Sequence, residues 1–177
     1  MPSALKRLHR VKGVRKRLLR IEPPPVVRVL TDEPVQLDIW AERLGSEKDA
    51  KRMATLAEKY PSATLPELVT LDWLQRNGYV YEFQAPIFGG KQAGGTVMDF
   101  LVFQGNEALA WAVQGEYWHS QKKMVNRDKA IFLRLLGATV SGFRINAVVE
   151  LWEEDVYSRR PLIFYQAMAG IGLRSGL

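Results

Sequence analysis

Two apolar runs lie between Met98 and His119, and both carry groups that such runs normally exclude. Asp99 sits near the start of Asp99-Phe100-Leu101-Val102-Phe103, while Gln114, Glu116 and His119 follow directly on the run that ends at Val113. A buried carboxylate loses its water and needs a cation or a donor in exchange, so its placement here points to chemistry. Strand periodicity sets Asp99 on the face of Val97, Leu101 and Phe103. If the two runs pair as a hairpin, the neighbours of Asp99 include the far end of the partner strand, where Gln114 and Glu116 emerge. Glu67, at the start of a preceding helix, is a third carboxylate able to reach the same edge. Oxygen donors with one nearby histidine and no cysteine suit Mg²⁺ or Mn²⁺ better than zinc. Such an ion polarises a phosphodiester and lowers the pKa of an attacking water.

The elements that must position these groups are legible in order. Asp38 to Leu44 and Glu47 to Tyr60 read as helices, the second stopped by Pro61. Thr64-Leu65-Pro66-Glu67 opens a third helix with a capping box and a proline near its first turn, and Asn77-Gly78 ends it. The period then changes to alternation at Tyr79 to Gln84, a half-buried strand, before a glycine-rich turn from Pro86 to Gly95. Val97 to Phe103 and Ala108 to Val113 are continuously apolar, as strands covered on both faces are, and Gln104-Gly105-Asn106-Glu107 joins them as a hairpin turn. Val125 to Leu136 is again helical, Ala138 to Phe143 a short strand, and Asn146 a cap for a last helix from Ala147 to Tyr157. Residues 161 to 173 are apolar enough to pack on the body in either form. The expected fold is α/β, a mixed sheet flanked by helices.

With 177 residues and 47% hydrophobic residues, the chain has room for one domain and its core, plus a tail. It has no cysteine, which excludes disulfides and thiolate metal sites and fits a cytoplasmic location. No apolar run has the length of a membrane span, and the charged start is unlike a secretory signal. The net charge of +6 is concentrated at the N-terminus. Lys6, Arg7, Arg10, Lys12, Arg15, Lys16, Arg17 and Arg20 are there without a single acid, and the remainder is slightly acidic. Leu5, Leu8, Val11 and Val14 recur among them, so residues 4 to 20 suit a basic amphipathic helix on nucleic acid, an anionic membrane or a protein groove. Nucleic acid is the first choice, because each neutralised phosphate releases counterions. A targeting peptide and a solvated tail are the other readings. Glu22-Pro23-Pro24-Pro25 closes the segment, which divides the chain into a tail and linker over residues 1 to 35 and a domain over 36 to 177.

The run from Thr64 to Asp155 resembles the restriction-endonuclease-like superfamily, whose pattern is a helix Glu, a strand Asp, and an acid-x-Lys on the next strand. It is similar in particular to the very-short-patch repair endonucleases and their small relatives. The residues that carry the likeness are Asp99 to Phe103, Gln114-Gly115-Glu116-Tyr117-Trp118-His119, and Asn126-Arg127-Asp128 followed by Leu136-Gly137. The resemblance implies a Mg²⁺- or Mn²⁺-dependent DNA endonuclease. Asp99 would bind the metal with Glu67 or Glu116, His119 would move a proton or position water, and Arg127 or Asp128 would steady the site. Lys91, Lys122, Lys123 and Arg127 would add phosphate contacts. Gln114 stands where the pattern has an acid or a histidine, and Glu116 where it has lysine. A second reading therefore stands beside the first: a non-catalytic DNA-binding or phage assembly factor that kept the fold, with its tail also available to a protein partner.

The charge pattern of the tail makes a direct prediction. Deleting residues 1 to 20 should flatten the salt dependence of DNA affinity, by roughly 0.9 in log-log slope for each phosphate the tail had neutralised. An unchanged slope would assign the tail another partner.

Overall fold

The computed structural model describes residues 37–90, 95–115, 122–158 and 160–171, with 122–128 described by their backbone. The basic tail with its eight cationic residues lies outside the described residues, as do Lys91, Glu116 and His119.

Three helices come first: α1 (Leu37–Leu44), α2 (Glu47–Lys59) and α3 (Leu65–Arg76). The Ser46 side chain caps α2 by accepting from the Asp49 N–H at 3.2 Å. At the head of α3 the Glu67 carboxylate reaches back to accept from the Thr64 N–H at 2.6 Å and the Thr64 hydroxyl at 2.8 Å. This is the capping box expected from Thr64-x-x-Glu67, and it supplies a partner to a donor that the helix start leaves unpaired.

A five-stranded sheet follows, in the order β1-β2-β3-β5-β4. Its strands are β1 (Tyr81–Ile87), β2 (Thr96–Gln104), β3 (Glu107–Gln114), β4 (Thr139–Val140) and β5 (Phe143–Trp152). β1, β2 and β3 form an antiparallel meander, whereas β3 and β5 run parallel. A parallel pair needs a crossover, and α4 (Lys122–Leu135) lies within that connection. Short helices α5 (Glu153–Ser158) and α6 (Leu162–Met168) complete the described chain.

The sheet is covered on both faces. One face carries Phe100, Val102, Leu109, Trp111, Val149 and Leu151 against α1, α2, α3, α5 and α6. Trp73 of α3 is its hub, stacked on Phe164 at 4.9 Å and on Tyr79 at 5.1 Å between ring centroids. The other face carries Leu101, Ala108, Ala110, Ala112 and Ile145 against Phe132 and Leu135 of α4. Double coverage explains why β2 and β3 read as continuous apolar runs. Each large side chain so buried contributes roughly 1.5–3 kcal/mol.

The order of elements differs from the sequence expectation at four places. Ala147 to Trp152 is the second half of a core strand, not a helix; the helix there is only Glu153–Ser158. Asn146 is not a cap. The pairing jumps from Ala108↔Ile145 to Leu109↔Ala147, so Asn146 is the extra residue of a β-bulge, and the bulge breaks the alternation that would have marked a strand. The strand expected over Ala138 to Phe143 is instead a hairpin. Ser141 and Gly142 both have positive φ, +51° and +87°, between the paired Val140 and Phe143, as a two-residue I′ turn requires. Finally, β1 starts two residues later than expected and runs through Pro86 to Ile87. Pro86 is tolerated because β1 is an edge strand.

The I′ turn is separable from packing, since a Cβ at Gly142 would meet nothing within 4 Å. Gly142→Val should lower unfolding stability by about 1–2 kcal/mol through backbone strain alone, and Gly142→Asn by less. Denaturant titration of the two variants measures the difference, and equal stability of both with the wild type would contradict the turn assignment.

Candidate functional site at the fork of the sheet

Asp99 stands where the sheet divides. The β2–β3 pairing ends at Phe100↔Trp111. Past it, Met98, Val97 and Thr96 pair only with β1, while Ala112, Val113 and Gln114 pair only with β5. Carrying the register forward would set Met98 opposite Val113. Instead the Asp99 carboxylate takes that place, its Oδ2 accepting from the Val113 N–H at 2.7 Å. A half-buried backbone donor that loses its strand partner must find another acceptor, and a charged one at this distance is strong.

The pleat also changes sides here. Phe100 and Val102 face the helix-rich layer, but Met98 packs with Leu101 in the layer under α4. On the neighbouring strand Phe83 and Ala85 are divided between the same two layers. Between them Gln84 has φ +52°, and it is the β1 residue that the register sets against Asp99. The expectation that Asp99 shares the face of Val97, Leu101 and Phe103 is corrected accordingly. The backbone irregularity at Gln84 interrupts the alternation, and Asp99 turns its carboxylate into the gap between strands. Gln84 is held in this conformation from outside, its side-chain Oε1 accepting from the Ser62 hydroxyl at 3.2 Å.

Gln114, at the end of β3, donates its amide to Glu150 Oε1 of β5 at 3.4 Å, a long contact. Asp99 and Gln114 are thus brought to the same end of the sheet. Glu150 joins them and was missed from sequence, because the strand that carries it reads as a helix. The signal that finds it is the Ser141-Gly142 turn, which restarts a strand at Phe143 and sets Glu150 opposite Ala112. Glu67 is buried at 8% exposure and committed to the α3 cap by its Oε2. Lys122, Lys123 and Arg127 fall on α4, where the backbone alone is described.

The donor set suits a hard cation in kind. Carboxylates of Asp99 and Glu150 and the amide oxygen of Gln114 are oxygen donors, and Mg²⁺ commonly takes one or two protein carboxylates while keeping several waters. Among the described residues, no three His, Asp or Glu side chains converge. Among the described residues, a cation at the fork would meet the carboxylates of Asp99 and Glu150 and the amide oxygen of Gln114.

The bond to Val113 gives Asp99 a measurable structural role. Asp99→Ala should cost about 1–3 kcal/mol, since it strands a partly buried N–H, and should speed hydrogen exchange at the Val113 amide. Asp99→Asn keeps an acceptor oxygen and should preserve most of that protection. Equal exchange in wild type and Asp99→Ala would show that this bond does not protect the amide. No family model, curated protein or solved structure matches this chain.

Proposed function

We propose that this protein is a metal-dependent DNA endonuclease with its reaction centre at the fork between β2 and β3. The observation that carries the reading is the carboxylate of Asp99 at the point of divergence, beside Gln114 and Glu150 on the strands that continue. The sequence likeness to the restriction-endonuclease-like superfamily supports it, as does the order of a helix with Glu67, a strand with Asp99 and a strand ending at Gln114.

Asp99 and Glu150, with Glu116 from the segment that follows β3, supply oxygen ligands for Mg²⁺ or Mn²⁺, and Glu67 is left to the α3 cap. When bound, such an ion polarises the phosphodiester, stabilises the leaving oxygen and acidifies water. Gln114 cannot accept a proton, so it orients: its amide N–H is turned towards Glu150, and its carbonyl oxygen is the atom of ligand type. Proton transfer then falls to His119 or Glu116, both within five residues of Gln114. The cationic tail, with Lys91, Lys122, Lys123 and Arg127, supplies sequence-independent attraction to phosphates.

The Asp99–Val113 bond also favours a second reading, a DNA-binding or assembly protein in which Asp99 serves the fold alone. Incubation with supercoiled, mismatched and branched DNA in Mg²⁺, Mn²⁺ or EDTA separates the two. The endonuclease reading expects metal-dependent nicking that falls at least a hundredfold in Asp99→Asn while the fold and DNA affinity persist. Binding without cleavage on every substrate would leave the second reading.

A further inference from the structure

A cleft of about 500 Å³ lies between α2, α3, α5 and α6 on the helix-rich side of the sheet. That volume suits a small molecule. Among the described residues of its lining, Arg52, Arg76 and Arg160 face two carboxylates, Asp49 and Asp72.

The three arginines are held in different ways. Arg52 is pinned, donating to Asp72 Oδ1 at 2.9 Å and to Asp49 Oδ1 at 2.7 Å. Burial opposes its charge, but the two carboxylates outweigh that and hold its pKa above the ordinary arginine value. Arg76 is different: its guanidinium comes only to 3.7 Å from Asp72 Oδ2, and its side chain is 66% exposed. Arg160 is anchored to the Leu44 carbonyl at 3.2 Å but stands 3.8 Å from Asp49 Oδ2, outside hydrogen-bond range. Arg52 thus satisfies much of the acidic charge, and the cleft keeps two guanidinium groups with donor capacity for an anion.

Beside them is an aromatic surface. Trp73 lines the cleft, and the exposed ring of Tyr165 stands edge-on to it at 5.6 Å. Tyr157, also in the lining, is not an anion: burial first, then Glu153, pushes its phenol well above the ordinary tyrosine range. A flat ring with a phosphate attached matches both halves of the site. The exposed ring of Tyr165 offers it a surface, backed by the buried Trp73, and guanidinium groups bind phosphate through paired N–H donors.

We propose that this cleft binds a nucleotide, with the phosphate on Arg76 and Arg160 and the base against the exposed ring of Tyr165. The cleft shares no lining residue with the fork, and its proposal does not depend on the endonuclease reading. The ligand chemistry has two sources, a free mononucleotide or the 5′-phosphorylated end of a DNA strand.

Calorimetric titration of the full chain in EDTA, which silences any cation-dependent site, tests the proposal. The probes are AMP, inorganic phosphate, and a short oligonucleotide with or without a 5′-phosphate. Arg76→Ala and Tyr165→Ala alter exposed side chains and should leave thermal unfolding nearly unchanged. The expected result is AMP binding stronger than that of inorganic phosphate, weakened about tenfold or more by each substitution. Tighter binding of the 5′-phosphorylated strand than of its 5′-hydroxyl form, weakened by the same two substitutions, assigns the cleft to DNA ends. No binding of AMP or of the phosphorylated strand at millimolar concentration would overturn the proposal. So would binding that neither substitution weakens, or inorganic phosphate binding as tightly as AMP.

Discussion

A single constraint shapes the candidate site: β2 must leave β3 while β3 stays paired with β5. At the last shared rung, Phe100↔Trp111, both side chains are fully buried in the core. Beyond that rung the Val113 N–H has no β2 carbonyl opposite it, and Asp99 Oδ2 at 2.7 Å takes the carbonyl's place. The fork therefore needs an acceptor at its apex, and a carboxylate is a stronger acceptor than the amide it replaces. The same residue gives the apex its charge. Asp99 holds the fork together and, in the endonuclease reading, also binds the metal, so the charge-neutral Asn substitution is more informative there than truncation.

The rest of the fold holds this apex open. Gln84, with φ +52° and its side chain tied to Ser62, breaks the pleat of β1 opposite Asp99. Beyond that point β1 and β2 turn their side chains to the opposite layers, which lets Met98 enter the core under α4. On the other side of the fork, the parallel β3–β5 pair continues to Gln114↔Trp152 and carries Glu150 with it. The core reaches the last shared rung itself, where Trp111 packs with Trp73 and Phe164 in one aromatic block.

Much of this was legible in the residues themselves. The capping box at Thr64 and Glu67, the hairpin turn at Gly105-Asn106 and the doubly covered strands β2 and β3 follow from local rules, and the structure has all three. What was hidden depends on irregularities that leave little trace in periodicity. The Asn146 bulge moves Ile145 and Ala147 into different layers, and a strand interrupted in this way reads as a helix with an Asn cap. That reading concealed Glu150. The turn of Asp99 into the fork was hidden for a related reason, since a left-handed Gln84 is not encoded by a glycine. The arginine cleft was invisible because Arg52, Asp72 and Arg160 come from three separate helical regions and meet only through tertiary packing.

If the fork holds a divalent cation, as the endonuclease reading requires, Mn²⁺ titration followed by NMR shows it most directly. Paramagnetic broadening should be greatest at the amides of Asp99, Val113 and Gln114, fall off with distance from them, and disappear in Asp99→Asn. Broadening that spreads over the surface without a centre, or that persists unchanged in Asp99→Asn, would contradict a cation site at the fork.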